Sequence, residues 1–150
     1  MIGEIRDSET AYSAIQISIA GARVVSSIHA NDSVAAIEAM LALSGAHPRQ
    51  VMQSLRGVVS QRLVKKVHAA CQGKGCAVCD GTGSDGRLAI HEVLPVTQEF
   101  ADAVTKGESR GRLTELARQA GMKSLREDAQ RRLDSGETTA LWVAEALGNE

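Results

Sequence analysis

The sequence predicts an α/β layer followed by an all-helical tail. Two β-branched runs, "ARVVSSIHAND" and "GRLAIHEVLPV", are separated by segments with apolar residues at helical spacing, which implies strands with intervening helices. After Pro95 come three segments that each carry a polar start, an apolar stripe and a closing glycine, which implies helices. At 150 residues the chain holds one ordinary domain, or two small subdomains sharing a core.

The elements follow in order. In "RDSETAYSAIQISIAG" the residues Ala11, Ala14, Ile15, Ser18 and Ile19 share one helical stripe, Asp7 or Ser8 can cap it, and Gly21 ends it. "ARVVSSIHAND" reads as a strand that delivers His29, Asn31 and Asp32 to its carboxyl end. Asp32 or Ser33 then caps a second helix, in which Val34, Ile37 and Leu41 recur before Gly45. Pro48, tolerated in a first turn, restarts the chain as a third helix with Met52, Leu55, Val59 and Leu63 on its inner face. "GRLAIHEVLPV" is a strand broken by Pro95. "RLTELARQAG", "SLREDAQRRLDSG" and "TTALWVAEALG" are helices, with a hinge between Lys106-Gly107 and Gly111. The last two break at Ser135-Gly136 and set Leu125, Ala129 and Leu133 against Trp142, Ala146 and Leu147. No internal repeat or low-complexity segment is read.

Composition narrows the function classes. Lysine plus arginine number 17 against 18 acidic residues, so no overall field demands nucleic acid or an anionic membrane. No apolar run approaches a membrane span, and "MIGEIRD" lacks the regions of a signal peptide, so the expected location is the cytoplasm. All 3 cysteines fall in "CQGKGCAVC", and an odd, clustered count argues for metal or free thiols rather than a disulfide framework.

Three stretches carry candidate chemistry. His68-x-x-Cys71 and Cys76-x-x-Cys79 are two ligand pairs at knuckle spacing, and imidazole and thiolate both suit zinc. The alternative is reduced thiols in a loop, with His68 ending the preceding helix. "GTGSDG", Gly81 to Gly86, spells a dinucleotide fingerprint, but it opens a strand rather than a helix, so its glycines are read as turn residues. In "MIGEIRD", Glu4 ends a strand, where a carboxylate can hold a Mg²⁺-bound water or act as general base. His29 stands at the end of the next strand.

Read together, "GEIRDSETA", "SSIHAND", "VVSQRLVKKV", "HAACQGKGCAVC", "GTGSDGR" and "GMKSLREDAQRRLDSGETT" resemble, in order and over nearly the whole chain, the C-terminal half of the motor ATPases of type II secretion and type IV pilus assembly. The resemblance implies the C-terminal part of a RecA-like domain over residues 1–66, a zinc knuckle and turn over 67–87, and a strand with a helical C-terminal subdomain over 88–150. It implies that Glu4 matches the Walker B glutamate organising the attacking water, and His29 the histidine that senses the γ-phosphate. Gln61 and Arg62 match a Q-R pair, structural or nucleotide-proximal. His68, Cys71, Cys76 and Cys79 match the four-cysteine zinc site of the assembly and secretion branch. Zinc is the implied cofactor, with ATP and Mg²⁺ belonging to the complete family protein. The implied partners are further copies in a hexamer or other self-association, and inner-membrane platform proteins at the cytoplasmic face.

Departures from the pattern matter too. His68 replaces the usual first cysteine, the loop between ligand pairs is shorter than the family norm, and Ser84 stands where an aromatic is usual. No G-x-x-x-x-G-K-[ST] occurs, so the loop that cradles the β- and γ-phosphates is missing. The chain is therefore expected to be a truncation beginning inside the Walker B strand, inactive alone. The rival expectation is a zinc-stabilised interaction module that docks on a secretion motor or membrane platform. A cysteine redox protein lacks the strand-to-helix context around Cys76 and Cys79.

Overall fold

The computed structural model describes residues 1–148, and the chain forms two compact units. One unit comprises residues 1–60 and 93–122, the other 61–92 and 123 onward. The chain passes between them inside two of its strands and again after Met122.

The first unit opens with β1 (Glu4–Ile5), α1 (Ser8–Ile19), β2 (Ser27–Ile28) and α2 (Ser33–Ser44). β1 and β2 pair in parallel, Glu4 opposite Ser27 and Ile5 opposite Ile28. The β-branched run predicted as a longer strand is paired only at its end, because β1 offers two residues as a partner; beyond that pair the Ile2 N–H donates to the Val25 carbonyl and the Ser27 hydroxyl to the Gly3 carbonyl, each at 2.9 Å. The expected caps hold the helices. Asp7 accepts from the Thr10 N–H and Asp32 from the Ala35 N–H, each at 2.8 Å, and Gly45 leaves α2 in the left-handed region at φ 58°.

The third helix is shorter than its sequence pattern suggests. α3 (Pro48–Ser54) ends before Leu55, and residues Gly57–Val67 form a strand, β3. Val59 and Leu63, expected on the inner face of a helix, point outward from that strand, 62% and 53% exposed. Met52 and Leu55 do belong to the apolar side. The physical reason is that "GVVSQRLV" satisfies period 2 as well as period 4: Val58, Ser60, Arg62 and Val64 turn inward, while Val59, Gln61 and Leu63 turn out. The paired valines favour the strand, Gly57 disfavours continuing the helix, and Gly57 lets the Leu94 carbonyl approach to 3.1 Å of where its Cβ would stand. β4 (Ser84–Pro95) pairs with β3. The Val96 N–H reaches the Arg56 carbonyl at one end and the His68 N–H the Gly83 carbonyl at the other, which makes the ribbon antiparallel.

α4 (Gln98–Lys106) and α5 (Arg110–Gln119) complete the first unit. Gly107 closes α4 and Ser109 caps α5, so only Gly107–Ser109 separate the helices, and Gly111 of the expected hinge lies within α5. The core gathers Ile15, Ile37, Val51, Leu94 and Phe100 among others, all fully buried. In the second unit α6 (Leu125–Asp134) and α7 (Ala140–Leu147) pack on each other and on the ribbon: Val64, Ile90, Leu125 and Ala129 are buried together, with Leu88, Val143, Ala146 and Leu147 against them. Trp142 is buried as well, with the Lys65 ammonium 5.9 Å from its ring centre. The Val67 N–H donates to the Glu137 carbonyl and the Thr138 hydroxyl to the Lys65 carbonyl, which fastens the break between the helices to β3.

Candidate functional site

The loop between β3 and β4 brings His68, Cys71, Cys76 and Cys79 together, their ligand atoms all within 4.8 Å of one another. Cys79 Sγ lies 3.8 Å from Cys71 Sγ and 3.7 Å from Cys76 Sγ. His68 turns Nδ1 inward, 3.3 Å from Cys71 Sγ and 3.6 Å from Cys76 Sγ. A tetrahedral zinc with Zn–S near 2.3 Å and Zn–N near 2.0 Å spaces its sulfurs by about 3.8 Å, and a sulfur from a nitrogen by about 3.5 Å. The four distances above lie close to those edges, and the cysteines are free thiols. The four residues can hold a metal, and their chemistry suits zinc.

Electrostatics support the same use. Burial pushes the Cys79 thiol up, but N–H groups of Cys76 at 3.2 Å and Gly83 at 3.3 Å, then the thiols of Cys76 and Cys71, favour its thiolate and leave it lowered to about 6. Burial raises Cys71 in turn, and the thiols of Cys79 and Cys76 add to the rise. The Cys79 thiolate is thus favoured, and a bound cation would offset the rise at Cys71.

The loop is also an internal repeat, which corrects the reading that the sequence has none. "HAACQGKG" (68–75) and "CAVCDGTG" (76–83) align at every position, with alanine, cysteine and two glycines identical. The repeat has a steric cause. A Cβ on Gly75 would meet the Gly81 carbonyl oxygen at 2.6 Å, and one on Gly83 would meet the Gly73 carbonyl oxygen at 2.2 Å. These contacts are the same contact seen from each half. Both glycines also have positive φ, 85° and 69°, so both halves cross where neither tolerates a side chain. Sequence reasoning saw turn glycines here; the eight-residue period was the signal it passed over.

A second cluster forms at the strand ends of the first unit. Glu4 on β1 and His29, directly after β2, meet across the parallel pair, His29 Nε2 donating to Glu4 Oε1 at 2.7 Å. Arg6 pairs with the other carboxylate oxygen. His29 is nonetheless 87% exposed, while Glu4 is 22% exposed. Asp32, which caps α2, also accepts from Arg110, whose other amino group reaches Glu38 at 2.6 Å, so the loop carrying His29 is fastened to α5. Gln61 and Arg62 sit elsewhere, on β3 in the other unit, Gln61 exposed and Arg62 half-buried with Nη1 on the Gln61 carbonyl. The partner role of Arg6 was not legible from its type alone.

The sequence profile described as Type II/IV secretion system protein matches residues 1–147. The chain belongs to that family. The type II secretion system protein HxcR of Pseudomonas aeruginosa is 40% identical over 147 residues, covering 93% of this chain and 31% of HxcR. The type IV pilus assembly ATPase PilB of Thermus thermophilus is 37% identical over 166 residues, covering 93% of this chain and 19% of PilB. This secretion-family chain thus spans about a fifth to a third of the length of these relatives. Among solved structures, the pilus retraction motor PilT with bound ADP superposes at TM-score 0.74 and 19% identity, over 98% of this chain and 38% of PilT. The Legionella pneumophila ATPase DotB does so at 0.71 and 18% identity, over 96% of this chain and 37% of DotB. The mixed α/β fold, with helices at its C-terminal end, is that of these ATPases.

Proposed function

We propose that the chain is the C-terminal fragment of a hexameric motor ATPase that powers type II secretion or type IV pilus assembly, comprising part of the RecA-like core, a zinc knuckle and a helical subdomain. Glu4 organises the attacking water and His29 reads the γ-phosphate, with Gln61 and Arg62 near the nucleotide or structural. The observation that carries this is the contact between Glu4 and His29 at the ends of adjacent parallel strands, in a chain of this family and fold. The division at residues 1–66, 67–87 and 88–150, and a working place in the cytoplasm beside inner-membrane platform proteins and further motor subunits, belong to the same proposal. No helix among the described residues is long and apolar enough to cross a membrane.

His68, Cys71, Cys76 and Cys79 hold the metal in this reading. Zinc bound there supplies a cross-link between the two ends of the β3–β4 loop and no reaction chemistry, since all four positions are taken by protein. The sequence has no G-x-x-x-x-G-K-[ST], and phosphoryl transfer depends on positioning and charge stabilisation. Alone, therefore, the 150 residues do not turn ATP over. Substituting the chain for the corresponding segment of HxcR tests the proposal. The chimera is expected to hydrolyse ATP, and Glu4→Gln within it to cut kcat by on the order of a hundredfold or more. A folded chimera indifferent to Glu4→Gln would refute the role of Glu4. Capture of intact HxcR by the chain, with no such dependence, would favour a docking module.

A further inference from the structure

We propose that His68 sets which metal the knuckle takes, favouring zinc over softer cations such as cadmium; this rests on the metal reading of the same four residues. The ground is the repeat and the one ligand position at which its halves differ. Cys71 and Cys79 are equivalent, and each donates its N–H to the carbonyl of the first ligand of its own pair, His68 or Cys76, at 3.2 Å. Lys74 and Thr82 are equivalent, donating to the carbonyls of Cys71 and Cys79 at 3.0 and 2.9 Å. Gln72 and Asp80, the residues after those cysteines, share the left-handed conformation at φ 50° and 49°. The reciprocal glycine contacts complete a local two-fold relation between residues 68–75 and 76–83.

Under that relation His68 occupies the place of Cys76, so an imidazole stands where the repeat puts a thiol. Its Nδ1 lies at the nitrogen-to-sulfur spacing the centre requires, 3.3 and 3.6 Å from two sulfurs, so the exchange leaves the tetrahedron intact. What changes is softness and charge. Imidazole is the harder ligand and is neutral, and soft cations gain more from each thiolate than zinc does. Three thiolates and one imidazole therefore penalise cadmium more than zinc, where four thiolates would not.

The test uses the whole chain in three forms: wild type, His68→Cys, and the exchange His68→Cys with Cys76→His. Each is loaded with Co²⁺ and then titrated with Zn²⁺ against Cd²⁺. The wild type and the exchange variant are expected to share one Co²⁺ spectrum. In His68→Cys, thiolate-to-cobalt charge transfer should rise by about a third as three Co–S bonds become four, with d–d bands moving to longer wavelength. The Cd²⁺/Zn²⁺ preference should rise on the order of tenfold in His68→Cys, the size of a ligand-environment change, and return to the wild-type value in the exchange variant. An unchanged preference in His68→Cys, with metal bound to the wild type, overturns this inference alone. A wild type that takes up neither Co²⁺ nor Zn²⁺ overturns the metal reading and this inference with it. A folded exchange variant without a Co²⁺ spectrum refutes the equivalence of the halves; if that variant does not fold, His68→Cys alone decides.

Discussion

The metal knuckle and the strand-end pair are built on opposite plans. The knuckle finds all four ligands within twelve residues, and its backbone crosses itself through glycines, so local sequence completes it. Glu4 and His29 come from separate strands, and His29 stands largely in solvent. The chemistry proposed for them needs a phosphate cradle, and the sequence contains no G-x-x-x-x-G-K-[ST]. A site closed by its own loop can work as soon as that loop folds, whereas a site assembled from strand ends depends on every element that supplies a part.

Breaking the knuckle should therefore have the largest effect. Gly83→Ala would drive a Cβ to 2.2 Å from a backbone oxygen, so metal uptake and the melting transition of the second unit should be lost. Gly81→Ala is the control: its φ is also positive, 74°, but its Cβ would meet nothing within 4 Å, so the cost should be the left-handed strain alone, about 1–2 kcal/mol. Equal damage from both substitutions, followed by thermal melts and zinc content, would show that crossing of the halves is not what the glycines serve.

Next in size is Trp142→Ala. The side chain is 8% exposed, so truncation should cost about 3–5 kcal/mol and lower the unfolding midpoint while metal content stays intact. Fluorescence of Trp142 fully quenchable by acrylamide, with a mutant melting like the parent, would contradict the packing of α7.

Asp128 sharpens the comparison at a smaller scale. Partial burial pushes its carboxyl up, but the His91 N–H at 2.9 Å and then Arg131 outweigh burial and hold it below the usual carboxylate value. A lowered pKa means that the carboxylate stabilises the fold above its unfolded value and that this contribution fades as pH falls through the folded one. Asp128→Ala should cost about 1–3 kcal/mol near neutral pH by orphaning the His91 N–H, and the deficit should shrink as the pH falls below the ordinary carboxylate range and through the lowered folded-state value. Denaturant melts at several pH values check the sign. Smallest is Glu4→Gln, which removes exposed ion pairs and should change stability by less than about 1 kcal/mol. A larger loss would mean that Glu4 is structural.

Legibility in the sequence divides along the same line. Asp7, Asp32 and Gly45 were readable because a cap is set by residues within one turn. The convergence of His68, Cys71, Cys76 and Cys79 was readable for the same reason, and of the stripes of α6 and α7, Leu125, Ala129, Ala146 and Leu147 share one cluster, with Val143 rather than Leu133 or Trp142 beside them. The third helix overran because Met52, Leu55, Val59 and Leu63 fit a helical period, while the strand partner that decides, β4, lies some thirty residues on. Close approach of Gly75 and Gly83 to distant carbonyls is likewise a fact of three dimensions, although the repeat behind it was in plain view.

Native mass spectrometry of the chain, purified without added metal and then mixed with Mg-ATP, tests the contrast in one spectrum. The expected result is a mass increased by one zinc and no nucleotide adduct below millimolar ATP, because the charge-assisted contacts of a phosphate cradle are absent. A folded chain that carries no zinc yet retains ATP at micromolar concentration would contradict the account.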